Sequence, residues 1–296
     1  MSFRCAAASL ARDEPRAGSA STVRSFLLVE NAGPWGTDAL LDSRLPDDVK
    51  TGLQAASART GVRVLLIRRH HRVGSGPGVR VFAARTDPGS SWLETTTVAS
   101  PEVLLDLDLD ALGAGRSPGL TPADGPVFGV CTHGRHDACC AERGRPTAAA
   151  LTHAHPDETW EVSHIGGDRF AANVLVLPEG LYYGNVTAAA APALGSAHLQ
   201  GHLDLDLLRG RSCYPFAVQV AEVAVRREAR ETRDDAVRLV SSRRSGEVTS
   251  VVFDVAGTSY DVVVRSALTH ERHQLTCRAA HPNPIPTHEV VSVLPS

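Results

Sequence analysis

The most informative stretch of this chain is 129-GVCTHGRHDACCAERG-144. It contains three of the six cysteines, two histidines and an aspartate. An apolar strand is predicted before it and a helix after it. Loops at strand ends are where a rigid scaffold presents reactive groups. This composition therefore predicts a metal or redox site.

Two cysteines of that stretch lie at the ends of predicted secondary-structure elements. Cys131 is placed where the strand ends, and Cys140 where the helix begins. A helix N-terminus has free backbone N–H groups and a partial positive charge, which stabilise a thiolate or an anionic metal cluster. Both cysteines are therefore candidate ligands.

A second group of ligand-type side chains follows at 163-SHIGGD-168. His164 and Asp168 are four residues apart, with Gly166 and Gly167 between them. Glycine adopts backbone angles that other residues avoid and lets the chain approach a bulky group closely. We interpret the two stretches as halves of one site and expect the glycines to lie against an inorganic centre.

The periodicity around the site predicts three regions after a disordered N-terminus. The middle one has the order β-α-β-β-β-α of a small thioredoxin-like unit, with a hairpin that turns at Pro178-Glu179-Gly180. A Gly-, Pro- and Ser-rich stretch separates it from the region before, and a helix and strands follow it. The predicted boundaries are 1–22 for the disordered N-terminus, 23–120 for an N-terminal α/β region, 124–208 for the thioredoxin-like domain and 209–296 for a C-terminal helix and β-strand region.

The pattern leaves one question of architecture open. The N-terminal α/β region can be a degenerate thioredoxin-like unit of its own, or it can merge with the central unit into one domain. The proline-rich tail after residue 281 is expected to run extended along the surface.

Several motifs resemble the sucrase/ferredoxin-like family, whose ferredoxin part is similar to the thioredoxin-like [2Fe–2S] ferredoxins. The resemblance is carried by 130-VCTHG-134, 140-CAERG-144, 164-HIGGDRFA-171 and 176-VLPEGLYYG-184, with weaker matches at 30-ENAGPWG-36 and 211-RSCYP-215. It implies an α/β fold with a thioredoxin-like ferredoxin unit in the centre.

The resemblance also implies a ligand set for one [2Fe–2S] cluster. Cys131 and Cys140 match the cysteines of the first loop, and His164 matches the first histidine of an H-x-G-G-H turn found in some eukaryotic members. Asp168 stands where the second histidine would be. The fourth ligand is therefore open between Asp168, Cys139, His133 and His136.

The function implied is one-electron transfer with a redox partner protein. A neutral imidazole in place of a thiolate raises the reduction potential and can couple it to protonation. Two alternatives remain. One is a thiol–disulfide redox protein that uses the adjacent Cys139 and Cys140, and the other is a zinc-stabilised binding module built on Cys131, Cys140 and His133 or His164.

Composition limits the other classes of function. The net charge of −3 gives no basic field for nucleic acid, and no run of about 18 apolar residues predicts a membrane span. Six cysteines in 296 residues, two of them adjacent, favour free thiols in a reducing, cytoplasmic setting over a disulfide framework. Cys5 and Cys277 lie outside the motifs and are expected to be free thiols.

No enzyme motif is recognisable in the chain. We find no pair of carboxylates suited to sugar hydrolysis, no phosphate-binding loop and no G-x-S-x-G stretch. An electron carrier is therefore favoured over a catalyst with a reaction of its own.

Overall fold

The structure is a computed structural model that describes residues 2–71 and 76–296. Its first elements are α1 (Cys5–Ala11), β1 (Ser25–Glu30), α2 (Asp47–Thr60), β2 (Arg63–Arg68), β3 (Val79–Arg85), β4 (Trp92–Val98), a 3-10 helix (Pro101–Asp106), α3 (Leu109–Gly113) and β5 (Thr121–Pro122). The middle elements are β6 (Val127–Cys131), α4 (Ala138–Ala154), β7 (Thr159–Val162), a 3-10 helix (Asp168–Phe170), β8 (Val174–Leu177), β9 (Leu181–Tyr183) and α5 (Ala191–Leu199). The last elements are β10 (Leu208–Arg211), α6 (Phe216–Ala229), a 3-10 helix (Asp234–Ala236), β11 (Val237–Ser245), β12 (Val248–Val255), β13 (Thr258–His273) and β14 (Asn283–Pro295).

The central unit has a thioredoxin-like arrangement. β6 and β7 are parallel and are connected by α4, as a parallel pair requires a crossover. β8 pairs antiparallel with the other side of β6, and β9 pairs antiparallel with β8. The predicted β-α-β-β-β-α order is confirmed, and the strands stand in the order β9-β8-β6-β7.

The N-terminal region repeats this topology. β1 and β2 are parallel with α2 between them, β3 pairs antiparallel with β1, and β4 pairs antiparallel with β3. The resulting order, β4-β3-β1-β2, is that of the central unit. The loop after β1 is therefore the topological counterpart of the cysteine loop after β6.

The two units share one sheet. β2 pairs antiparallel with β7, with Ile67 opposite Val162 and Arg68 opposite Glu161. Within the described residues this pairing joins the units into a ten-stranded sheet, β10-β9-β8-β6-β7-β2-β1-β3-β4-β5. The equivalent strands of the two halves meet at an approximate two-fold axis. The N-terminal region is thus both a second thioredoxin-like unit and part of one continuous structure.

The strands are apolar on both sides because helices and loops cover both faces of the sheet. Phe26 and Leu28 of β1 belong to one core, which extends into the central unit and includes Trp160, Cys131 and Cys140. Leu27 and Val29 point to the opposite face, against α2. The thiols of the predicted site therefore belong to the core that both units share.

The N-terminus differs from the expected disorder. Residues Cys5–Ala11 form α1, and Cys5 and Ala6 are fully buried in the shared core. Further along, Glu14 pairs with Arg169 beside the second ligand loop. The small side chains of this Ala- and Ser-rich segment let the helix pack closely, a feature that composition alone does not distinguish from disorder.

The C-terminal region packs α6 against a separate antiparallel sheet, β11-β12-β13-β14. The predicted helix and the two predicted strands are present. The proline-rich tail is not merely extended, because Asn283–Pro295 forms β14 and pairs with β13. β14 lies at the sheet edge, where a missing proline N–H breaks no ladder. In the described part of the chain, no helix is long and apolar enough to cross a bilayer.

Candidate metal centre

The stretch from Cys131 to Cys140, here called the first ligand loop, connects a strand to a helix as its sequence predicts. Cys131 is the last residue of β6, and α4 begins at Ala138. Asp137 caps the helix, its Oδ1 accepting a hydrogen bond of 2.9 Å from the backbone N–H of Cys139. Cys140 thus lies in the first turn of the helix, and its side chain and that of Cys131 are buried.

The two thiols shift each other's pKa in opposite directions. A hydrogen bond from Cys140 lowers the pKa of the Cys131 thiol. The same bond, together with burial, raises the pKa of Cys140 well above its ordinary value. The pair therefore carries one thiolate more readily than two in the absence of a cation.

The second ligand loop meets the first at Asp168. Oδ1 of Asp168 lies 3.2 Å from Sγ of Cys140 and 3.0 Å from Nδ1 of His164. The structure therefore brings together the three residues that the resemblance assigns to the cluster, Cys131, Cys140 and His164, and places Asp168 beside them. The His164–Asp168 contact is one of charge, because its alignment is not that of a hydrogen bond and Nδ1 is buried without such a partner among the described residues.

The charges of the second loop stabilise each other. Burial raises the pKa of Asp168. His164 and Cys140 together lower it by more than burial raises it, so the pKa lies below its ordinary value. Burial lowers the pKa of His164, but the Asp168 carboxylate raises it above its ordinary value. An anionic carboxylate thus faces the thiol pair, an arrangement that attracts a cation.

Two further candidate ligands occupy different positions. The ring of His136 stacks on that of His164 at a centroid distance of 3.7 Å, and Nε2 of His136 lies 3.8 Å from Oδ2 of Asp168. Donor atoms of His136, His164 and Asp168 all lie within 4.8 Å of one another. By contrast, Nε2 of His133 donates to the carbonyl of Gly36 at 2.7 Å, which ties it to the N-terminal unit.

Cys139 belongs to another environment. Its Sγ lies 3.4 Å from Sγ of Cys277, not with Cys140. Consecutive residues of a helix point in directions about 100° apart, so adjacent cysteines cannot face the same centre. This geometry leaves Asp168 and His136 as the candidates for a fourth ligand.

The two glycines of the second loop have backbone angles that favour glycine, and both lie close to other protein groups. Gly166 and Gly167 have φ of +94° and +78°, the left-handed region that favours glycine. A Cβ on Gly166 would lie 2.4 Å from Oγ of Ser21, and one on Gly167 would lie 2.1 Å from the guanidinium of Arg209. The close approach that these glycines permit within the protein is to Ser21 and Arg209.

Arg209 is a functional residue that the sequence did not reveal. It is fully buried, and its Nη1 donates to the carbonyl of Gly166 at 3.0 Å and to Oδ1 of Asn173 at 2.8 Å. It also donates to the carbonyl of Ser19. A single cation thus fixes the turn that carries His164 and Asp168. Its position in a short strand of the motif Leu-Arg-Gly-Arg gave no signal of burial.

The buried Arg68–Glu161 ion pair supports the first loop from the junction of the two units. Oε2 of Glu161 accepts from Oγ1 of Thr132 at 2.8 Å and from Arg68 at 2.8 Å. Oε1 of Glu161 lies 2.9 Å from Nδ1 of His70. Because Thr132 follows Cys131, this network positions the first ligand through residues of β2 and β7.

Comparison with known proteins finds a matching family model and a similar solved structure. The family model described as sucrase/ferredoxin-like matches residues 16–210. A solved thioredoxin-like [2Fe–2S] ferredoxin from Aquifex aeolicus is similar at 20% identity over 31% of this chain and 97% of its own, with a TM-score of 0.28. No curated protein matches the chain. Since the family model spans well over half of the sequence, the chain belongs to the sucrase/ferredoxin-like family.

Proposed function

We propose that this protein is an electron carrier that binds one [2Fe–2S] cluster through mixed Cys/His ligation. The observation that carries the proposal is the convergence of Cys131, Cys140, His164 and Asp168, with Asp168 Oδ1 within 3.2 Å of a thiol of one loop and 3.0 Å of an imidazole of the other. Two buried sulfurs, an imidazole nitrogen and a carboxylate oxygen are donors that iron accepts.

The donor set fits the cofactor on a second ground. Nδ1 of His164 is buried and lies 3.0 Å from Oδ1 of Asp168, but the contact is not aligned as a hydrogen bond, so this nitrogen remains available to a metal. Cys131, Cys140 and His164 would hold the cluster together with Asp168 or His136. When bound, the cluster supplies one-electron oxidation and reduction.

The exposure of the candidate ligand side chains determines from which side a redox partner can approach the cluster. The cysteines are buried, whereas the side chains of His164 and His136 are 28% and 36% exposed. The exposed edge of the site is therefore its histidine side. We place the docking of a redox partner protein there.

The ligand types set the expected potential. Neutral imidazole adds no negative charge, and Rieske centres with two histidines span about −150 to +300 mV, against about −400 mV for plant-type ferredoxins. We expect a potential above that of an all-cysteine ferredoxin. An imidazole ligand also predicts that the midpoint potential shifts with pH, and a constant value across the neutral range would remove proton coupling from the proposal.

The experiment is anaerobic purification of the full chain, followed by iron and sulfide analysis and visible spectroscopy. We expect a brown protein with two irons per chain, and loss of colour in Cys131→Ser and Cys140→Ser. Asp168→Ala and His136→Ala identify the fourth ligand, since only the variant that lacks it should lose or alter the cluster. The exposed His153→Ala is the matched control. A wild-type protein that stays colourless after reconstitution with iron and sulfide contradicts the proposal.

A further inference from the structure

A second cluster of metal-binding side chains lies outside the site described above. It consists of Cys5 of α1, Asp137 at the N-cap of α4, Cys139 in the first turn of α4, and Cys277 from the segment between β13 and β14. Cys5, Asp137 and Cys139 are buried, and Cys277 is half-buried. Three distant parts of the chain thus deliver three thiols and a carboxylate to one point.

The donor atoms are close to one another in every direction. Sγ of Cys277 lies 3.4 Å from Sγ of Cys139 and 3.6 Å from Sγ of Cys5. Sγ of Cys5 lies 3.6 Å from both carboxylate oxygens of Asp137. All four donor atoms fall within 4.8 Å of one another.

We propose that these four residues bind a structural Zn²⁺ ion. With Zn–S bonds of about 2.3 Å and a Zn–O bond of about 2.0–2.2 Å, a tetrahedral site has S···S edges of about 3.8 Å and S···O edges of about 3.6 Å. The separation between Cys5 Sγ and the Asp137 carboxylate oxygens already has that length, and the Cys139–Cys277 and Cys5–Cys277 contacts need to open by only a few tenths of an ångström. Four protein donors fill the coordination sphere, which is the pattern of a structural site.

The cluster combines a buried carboxylate with three thiols, which is a donor set that Zn²⁺ binds. Asp137 is fully buried, and one of its carboxylate oxygens lies within 4.8 Å of all three sulfurs. Binding of Zn²⁺ forms three Zn–S bonds and one Zn–O bond and releases the three thiol protons to solvent.

Nearby groups offset the net negative charge of the occupied site. The Asp137 carboxylate accepts hydrogen bonds from the backbone N–H of Cys139 at 2.9 Å and from that of Cys277 at 2.6 Å. The positive end of the α4 dipole and the guanidinium of Arg4, which interacts electrostatically with Cys139 and Cys277, act in the same direction. The zinc would fasten α1 and the β13–β14 segment to the start of the helix that carries Cys140.

The test is metal analysis of the full chain purified from zinc-supplemented cells. We expect one zinc per chain in wild type, and a loss of about tenfold or more in Cys5→Ser and in Cys277→Ser. Cys213→Ser, which removes a buried thiol outside the cluster, is the matched control and should keep its zinc. Cys131→Ser should lose iron and keep zinc, so this inference and the proposed function fail independently.

A second measurement needs no variant. In zinc-loaded wild type, X-ray absorption at the zinc edge should show three sulfur neighbours and one oxygen, and Cys5, Cys139 and Cys277 should resist alkylation until a chelator is added. A chain that takes up no zinc, a disulfide between any two of these cysteines in its place, iron bound at them, or zinc retained by Cys277→Ser would each overturn the inference.

Discussion

At the scale of single residues, one buried cation holds the second ligand loop in place. Burial lowers the pKa of Arg209 to about 10, so the guanidinium stays charged at neutral pH. Its hydrogen bonds reach Gly166 and Asn173 on one side and Ser19 on the other. The geometry of the ligand turn therefore depends on a side chain more than forty residues away in sequence.

Replacing this cation should weaken both the fold and the site. Arg209→Met leaves buried acceptors without donors, and we expect a loss of about 3 kcal/mol in the free energy of unfolding together with reduced iron content. Urea denaturation and iron analysis check this. Arg145→Met, at an exposed arginine of α4, is the control and should change neither. Unchanged stability in Arg209→Met would show that the loop does not depend on this residue.

The site residues that the sequence predicted lie in short local motifs, whereas those that it missed make contacts with residues far away in the sequence. Cys131, Cys140, His164 and Asp168 lie in short motifs at strand and helix ends, so the pattern was sufficient to name them. Cys5 and Cys277 contact each other across 272 positions, and no local pattern connects them. Arg209 was missed for the same reason.

At the scale of elements, α4 packs unusually close to the end of β6. A Cβ on Gly144 would lie 2.0 Å from the backbone carbonyl oxygen of Cys131. Alanine is about 1 kcal/mol better than glycine inside a helix. In Gly144→Ala the higher helix propensity of alanine would stabilise the fold, whereas the steric clash would destabilise it. The clash is with the backbone of Cys131, which can shift only at a high cost in free energy.

We expect packing to decide the outcome. Gly144→Ala should lower the free energy of unfolding by about 2 kcal/mol and should displace Cys131, so that less cluster is bound. Gly125→Ala is the matched control, since its Cβ would meet open space, and it should stay within about 0.5 kcal/mol of wild type. A stabilised Gly144→Ala would mean that helix and strand lie further apart than described.

A buried charge network connects β10 and α6. Arg211 pairs with Glu222 at 2.8 Å and with Asp234 at 2.5 Å. Burial raises the pKa of Asp234, but Arg211 lowers it more, so the pKa lies below its ordinary value of 3.8. The pair therefore contributes stability above pH 3.8, and this contribution is lost as the pH falls through the folded-state pKa.

The pH dependence of two variants tests this sign. Asp234→Asn should be about 1–2 kcal/mol less stable than wild type at neutral pH, and the difference should shrink below about pH 4. Asp235→Asn alters an exposed pair with Arg233 and should show little effect at any pH. A deficit in Asp234→Asn that persists at low pH would assign the effect to packing.

Most elements could be predicted because their periodicity is strong. The crossover helix α4 and the hairpin of β8 and β9 follow from apolar spacing and from the turn residues Pro178-Glu179-Gly180. α1 and β14 were not predicted as ordered elements. A short helix of small residues and an edge strand with prolines both depend on tertiary contacts, which local propensity does not contain.

At the scale of the whole molecule, two thioredoxin-like units form one sheet through β2 and β7. The pairing covers an edge strand of each unit and buries the Arg68–Glu161 ion pair beside the first ligand loop. The sequence could not show this junction, because it involves few residues of each strand and the two units share topology without a recognisable sequence repeat.

The shared sheet and core predict cooperative unfolding of both units. Tryptophan fluorescence, with Trp35 and Trp92 in one unit and Trp160 in the other, should change at the same urea concentration as the far-ultraviolet dichroism. Hydrogen exchange of β1 and β6 should report one common free energy of opening. Two separate transitions, one for each unit, would show that the junction carries little energy.

The cluster that we propose has sulfur and imidazole ligands from two loops. Pulsed electron paramagnetic resonance of the reduced, anaerobically purified protein tests it directly. We predict a signal of a reduced [2Fe–2S] cluster with a hyperfine coupling to directly bound nitrogen, which shifts on ¹⁵N-histidine labelling and is lost or diminished in His164→Cys. A cluster signal without any strongly coupled nitrogen, or with a coupling that His164→Cys leaves unchanged, would contradict the account.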